Sequence, residues 1–398
     1  MLNKRSVIAV PTFLSLGLMG SFHAFWGTTL PVLRDFLDLN IEQATVLTAY
    51  NLAAQAIACV LGGLLCDLIR RDKILLAGCL VLSSGAFLIG GIVSYVANIV
   101  LIFWMGLGCG LILSSTNALL VGLFPDRKGS ILNIHHSFYG AVSLVSPLVM
   151  AVLIQTQTGW RQGYTGLGCM LLAVGIFFLF TGIPNERAGQ RTPFFKDAGL
   201  LFSGSNFLCL LLIAAFAIGA QIGVIFLAVT YFMEAKGFPI VGASTVLSAF
   251  FLCVFAGRLV CSWLANHMAT TRIILLLLFM QFSGLIVAWQ ASGWISAAAV
   301  AVSGLGCSGI FPSLLALTGT LFLNVAGTSL GVLAAMTWVG GMFIVWMAGL
   351  LSQGMSVQFG FIAIVLASLA GIIVHLLKYK TFQRAETAAA IDDRYVDN

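Results

Sequence analysis

Three histidines, a handful of amide side chains and several tryptophans are the groups in this sequence best placed for chemistry, because they stand inside long apolar runs. His23 lies within 7–33, and His135 and His136 open 131–155. An imidazole titrates near pH ~6.5 in water, so each can exchange a proton at physiological pH. An ionisable group in such a run is a functional candidate by default. His23 is therefore the first candidate for proton exchange, and His136 the second. Trp26 follows His23 by three residues, so the two project from similar faces of a helix. The competing reading of His23 is a packing residue bonded to a neighbouring helix. For His135 and His136, near the end of their run, it is a gate or structural role. His267 and His375 fall near run ends and are expected to be solvated.

Asn51 and Gln55 are four residues apart in 46–69, hence on one helix face, and Asn117, Gln221 and Gln281 stand in later runs. An amide offers donor and acceptor together, which suits a hydroxyl-rich molecule. Trp26, Trp104, Trp338 and Trp346 could stack on a sugar face or an aromatic compound. The competing reading is helix–helix glue for the amides and lipid-facing or interfacial placement for the tryptophans.

Other chemistry is missing from the pattern. All 13 acidic residues fall in loops, tails or run ends, so no carboxylate stands at the middle of an apolar run. There is no phosphate loop, no HExxH and no GxSxG, and no loop is long enough for a nucleotide domain. An enzyme is not expected, nor a cofactor or a metal. The nine cysteines lie in apolar runs without a CxxC pair and read as small core residues.

What must position these groups is a bilayer. Hydrophobic residues make up 60% of the 398 and charged residues 8%, against roughly 45–50% and about 25% in a soluble domain. A membrane span takes ~20 apolar residues, and a helix hides its own backbone polar groups as lipid demands. Twelve such runs are read: 7–33, 46–69, 74–96, 99–124, 131–155, 163–183, 207–233, 241–264, 273–290, 295–322, 328–352 and 357–377. The first is too long for the apolar part of a signal peptide and reads as a span that stays. The expected fold class is all-α integral membrane. The expected units are a six-helix bundle over 1–183, a linker over 184–206, a second bundle over 207–378 and a tail over 379–398.

With the N-terminus inside, fifteen of the nineteen Lys and Arg residues fall on the inner side, three (Arg34, Arg161 and Lys236) outside, and Arg258 within a run. That asymmetry predicts a plasma or inner membrane protein with both termini cytoplasmic. The net charge of +6 is dispersed and argues for topology rather than nucleic acid. The bilayer, a small solute and protons are the expected partners of a monomer. An internal echo supports two repeats: Gly106-Leu107-Gly108-Cys109-Gly110 recurs as Gly304-Leu305-Gly306-Cys307-Ser308, 198 residues on.

Gly63, Asp67, Arg70, Arg71 and Lys73 at the end of the second run resemble the loop signature of the major facilitator superfamily, a charged latch between a helix end and basic groups. Arg70 stands where the pattern has glycine and Asp72 where it has a basic residue. Gly257, Arg258 and Asn266 resemble a weakened second copy. The gate candidates are thus Asp67, Arg70, Arg71 and Arg258. Asn117-Ala118-Leu119-Leu120, Leu123-Phe124-Pro125, 132–140 with its His135-His136, Pro147 and 309–313 resemble the fucose permease branch and related sugar permeases.

The resemblance implies two six-helix repeats with the first, fourth, seventh and tenth helices lining a cavity. It favours His23, Trp26, Asn117, Gln221 and Phe311 as solute contacts, beside Asn51, Gln55 and Trp338. It implies uptake of a hexose or deoxyhexose with protons, but the membrane carboxylates of that branch have no counterpart here. The expectation is a secondary transporter or facilitator of a small polar solute. An exporter of a drug-like or siderophore-like compound is the second reading, and a non-transporting sensor the third.

Overall fold

The computed structural model describes residues 4–124, 128–156, 158–180, 204–265, 267–322 and 326–396. Among them twelve helical elements follow in order: α1 (Lys4–Phe36), α2 (Ile41–Leu68), α3 (Arg71–Leu88), α4 (Tyr95–Leu123), α5 (Lys128–Ile154), α6 (Gly159–Phe180), α7 (Ser205–Glu234), α8 (Ile240–Leu264), α9 (Thr270–Gln290), α10 (Gly293–Leu321), α11 (Ala326–Gly354) and α12 (Val357–Val396). Eleven are long and apolar enough to cross a bilayer. The exception, α3, spends its first turn on Arg71, Asp72 and Lys73, yet it packs between α4 and α6 like a span. The linker expected over 184–206 lies outside the described residues as far as 203.

Each half is assembled around a glycine-rich helix. A side chain at Gly106 of α4 would meet the Asn51 carbonyl of α2, and one at Gly108 would meet Leu82 of α3. In the second half, Gly304 of α10 lies against the Phe250 carbonyl of α8, and Gly306 against Gln281 of α9. The echo in the sequence is therefore one packing device used twice: small residues bring a central helix against two neighbours at backbone distance. The bundles meet along α1–α7, α2–α11 and α5–α8.

Element ends differ from the sequence expectations where local backbone decides. The third helix stops at Leu88 rather than near 96. Gly90 takes φ +77, a turn conformation that glycine adopts without cost. The Ser94 side chain then caps α4. α7 carries a π-turn over Ala214–Ile218, steadied by Gln281 Nε2 donating to the Ala217 carbonyl at 2.8 Å. α10 breaks at Gly309. α12 runs on helically through the stretch read as a tail. There Glu386 accepts from the Thr270 and Thr271 amides at 2.5 and 3.1 Å and closes the start of α9. His375, expected to be solvated, is fully buried with Nε2 3.0 Å from the Thr271 carbonyl, because α12 turns it toward α9.

The two ends of the molecule differ. At the end holding Arg34, the bundles are tied by an Arg34–Glu234 ion pair of 2.6 Å. Gly27 there abuts the Ile225 carbonyl, and Gly349 the Thr45 side chain. At the opposite end, which holds Arg71, α5 and α8 touch through His136 and Arg258, while α4 and α10 form no extended packing among the described residues.

Candidate functional site

A line of polar side chains crosses the first bundle at mid-helix and ends at the second. Asn51 of α2 donates through Nδ2 to the Ile102 carbonyl of α4 at 2.9 Å. Gln55, one turn on, donates through Nε2 to Asn51 Oδ1 at 2.7 Å. Gln55 lies next to the imidazole of His23 on α1, whose Nδ1 is 2.9 Å from the Tyr139 hydroxyl of α5. Asn51, Gln55 and His23 are each at most 1% exposed.

Two atoms of this line, His23 Nε2 and Gln55 Oε1, have no partner in good hydrogen-bond geometry among the described residues, though the two side chains are neighbours. A buried polar atom without a well-placed partner costs about 1–3 kcal/mol, so a ligand that supplies one is favoured at this point. The second bundle faces the line with aromatic surface. Phe226 of α7 and Trp338 of α11 stand 5.5 and 5.6 Å from the His23 ring, centroid to centroid. Phe251 of α8 lies 6.5 Å from Tyr139. The arrangement can hold a molecule that offers hydroxyls to one bundle and a flat apolar face to the other.

The remaining candidates are placed as follows. Asn117 is half-buried on α4 with an unpartnered Oδ1, nearer the Arg71 end. Gln221 is half-buried on α7 and makes no hydrogen bond among the described residues. Phe311 reaches His136, ring to ring at 6.3 Å. Trp26 is 1% exposed and its indole N–H donates to Thr48 Oγ1 of α2 at 2.8 Å, which ties α1 to α2 in the first bundle. Gln281 is glue for the π-turn of α7. Tyr139, Phe226 and Cys59 (which lies beside Trp338) were not singled out from the sequence as contacts. Tyr139 had a signal, since it follows His136 by three residues on the same face.

With the geometry in place, comparison decides the family. Residues 12–286 match the model of the Major Facilitator Superfamily. The chain belongs to that superfamily. It is a multi-pass membrane transporter. Among its relatives is the protein TsgA homolog of Serratia proteamaculans (strain 568), 23% identical over 275 residues, 67% of this chain and 68% of that protein. The solved nucleoside transporter NupG superposes with a TM-score of 0.77 at 10% identity, covering 96% of this chain and 100% of that one. The fucose:proton symporter FucP of E. coli gives 0.61 at 16%, covering 92% and 99%. At these identities the two structures show a shared fold.

The superfamily loop is built in its own way here. Arg70 grips Asp72 with two bonds, 2.6 and 3.1 Å, across the first turn of α3. Arg71 donates to the Ala118 carbonyl near the end of α4 at 2.9 Å. The described partner of Arg70 is thus Asp72; the Asp67 side chain and Asn266 lie outside the described residues. Arg71 thus ties α3 to α4 within one bundle. Arg258 does join the bundles, donating through Nη1 to the His136 backbone carbonyl of α5.

Proposed function

We propose that this superfamily member moves a small, hydroxyl-rich organic solute, sugar-like in its demands, through the interface between the bundles. The observation that carries the reading is the polar line of Asn51, Gln55 and His23, buried at mid-helix with His23 Nε2 and Gln55 Oε1 lacking a well-placed partner among the described residues, opposite Phe226 and Trp338. A solute hydroxyl offers a donor to Gln55 and an acceptor to His23 at once. Structural neighbours that carry nucleosides and fucose are compatible with such a cargo.

Proton coupling is proposed through His23, the titratable group in the line, with His136 as the second candidate. A protonated imidazole at this depth favours whichever state of the transporter hydrates or pairs it, and differential stabilisation of two states is all that coupling requires. The Arg71 end is proposed to face the cytoplasm, with both termini, because the basic residues gather there.

The test is uptake by the purified protein in liposomes, with a panel of hydroxylated compounds, neutral and acidic. Gln55→Leu is expected to lower uptake of whichever compound is carried at least about 10-fold. A wild-type rate in that variant, or no uptake of any compound, overturns the reading. Orientation is checked on a cysteine-depleted background. Thr158→Cys is expected to react with an impermeant thiol reagent on whole cells and Lys380→Cys only after lysis, and the reverse order inverts the topology.

A further inference from the structure

Arg258 carries a positive charge into the bundle interface, where no carboxylate meets it among the described residues. It stands in α8, half-buried, on the side that faces α5. Neither α4, α5, α8 nor α10 contains an acidic residue, and the single carboxylates of α1 and α7 near the interface, Asp35 and Glu234, are at the Arg34 end. The titratable groups around the guanidinium are His136, Tyr139 and Cys261, with His135 behind His136. Of its donors, Nη1 is held by the neutral His136 carbonyl, and Nε is buried with no partner. A guanidinium has five N–H donors in a fork that matches a carboxylate or phosphate. Inside a membrane protein, with one neutral carbonyl as its acceptor among the described residues, the guanidinium is costly to hold and an anion would complete it.

Its position ties it to the proposed solute line. Matching Gly106 to Gly304 through their contacts sets Asn51 against Phe250 and Ala54 against Cys253, an offset of 199 residues. The same offset sets Gln55 against Val254 and Cys59 against Arg258. Residues 51, 55 and 59 form one face of α2, which packs on α4 and reaches Trp338 of the partner bundle at Cys59, and 250, 254 and 258 form the equivalent face of α8. Arg258 is therefore the counterpart of Cys59, and its bond to His136 of α5 places it at the interface. His136, whose carbonyl it holds, is one turn of α5, ~5 Å, from Tyr139, and Tyr139 is bonded to His23.

We infer that the transported solute is an anion, a hydroxylated organic acid whose acidic group is bound by Arg258 while its hydroxyls are bound by Gln55 and His23. This deepens the proposed function and rests on it. An arriving carboxylate outcompetes the neutral His136 carbonyl for the guanidinium, since charge-assisted bonds are roughly twice as strong. Binding at Arg258 thereby loosens a tie between the bundles.

The experiment uses the full chain in lipid nanodiscs. Thermal stabilisation is titrated with matched pairs, gluconate with sorbitol and galacturonate with galactose among a wider set of sugar acids, and with inorganic phosphate alone. The expected result is that an acid stabilises the wild type at least about 10-fold more tightly than its neutral partner. Arg258→Gln is expected to lower the acid's affinity about 10- to 100-fold, the loss of one charged hydrogen-bonding partner, and to leave the neutral partner unchanged. Arg258→Lys is expected to keep part of the preference. If Arg258→Gln does not fold, protection of Arg258 from phenylglyoxal by the acid in the wild type is the readout. Equal binding of acid and neutral partner, an unaffected variant, or no protection overturns the inference and leaves Arg258 as a tie between α5 and α8, with the polar-solute reading intact. Phosphate matching the acid in both wild type and Gln55→Leu makes this a general oxyanion site and also overturns it. If no acid and no neutral compound binds, the proposed function falls with it.

Discussion

Against the first glycine of α4 lie Asn51 and Ala54, with Gln55 one turn further; against the matching glycine of α10 lie Phe250 and Cys253, with Val254 in the place of Gln55. The two bundles thus share a packing scheme and differ in what they present to each other. The first offers amides and an imidazole. The second offers Phe226, Phe251 and Trp338, and one cation, Arg258. Its own buried amide, Gln281, is turned inward to hold the π-turn of α7. Close helix packing needs small residues at fixed places in both copies. At mid-helix the interface between the bundles is not built on that glycine scheme, and there one copy is polar and the other an aromatic wall.

The largest expected effects come from breaking what the bundles share. Gly106→Val and Gly304→Val each drive a branched side chain into a facing backbone carbonyl. Overpacking of this kind costs about 1–3 kcal/mol or more, so both variants are expected to lose most monodisperse protein on size exclusion. Gly166→Ala, which faces open space, is expected to behave as wild type. A well-behaved Gly304→Val alone would mean that the second copy is decorative.

Next come the differences. Gln55→Leu leaves Asn51 Oδ1 without its donor and removes the unsatisfied acceptor, so uptake is expected to fall at least about 10-fold, the worth of one to two hydrogen bonds. Gln281→Leu frees the Ala217 carbonyl within one bundle and is expected to lower the melting temperature while leaving affinity unchanged. The reverse pattern, stability lost at 55 and affinity at 281, would exchange the roles of the two amides.

His23→Gln keeps a hydrogen-bonding side chain beside Tyr139 but cannot titrate. Exchange of solute down its gradient is expected to continue, and accumulation driven by an imposed pH gradient to disappear. Persistent pH-driven accumulation would move attention to His136. A wild type with no pH dependence would make the protein a facilitator.

The smallest effect belongs to the Arg34 end. The Arg34 and Glu234 side chains are 20% and 29% exposed, and such an ion pair is worth about 0–1 kcal/mol. Arg34→Gln is expected to shift the balance between open and closed states at that end by at most about 5-fold. The readout is thiol labelling of a cysteine placed at Leu227, and no change in labelling would show that Gly27 and Gly349 alone hold this end shut.

Much of this was legible in the residues themselves. Twelve apolar runs, a glycine motif repeated at half-length, acids confined to ends and Asn51 four residues before Gln55 sufficed for the fold class, the repeat and the core of the candidate site. The neighbours were not legible. The sequence does not show that the Trp26 indole N–H is bonded to Thr48, or that Arg70 is bonded to Asp72.

What the sequence by itself determined is where helices run and how they repeat, because lipid enforces length and apolarity and close packing enforces glycine. Only the tertiary structure decided which face of each helix meets a partner. In water an apolar stripe marks the buried face, but lipid is as apolar as a packed core, so a membrane helix is hydrophobic all round and its stripe is erased. Joining His23 to Tyr139, and leaving Gln55 and Arg258 incomplete, is a matter of contacts between helices.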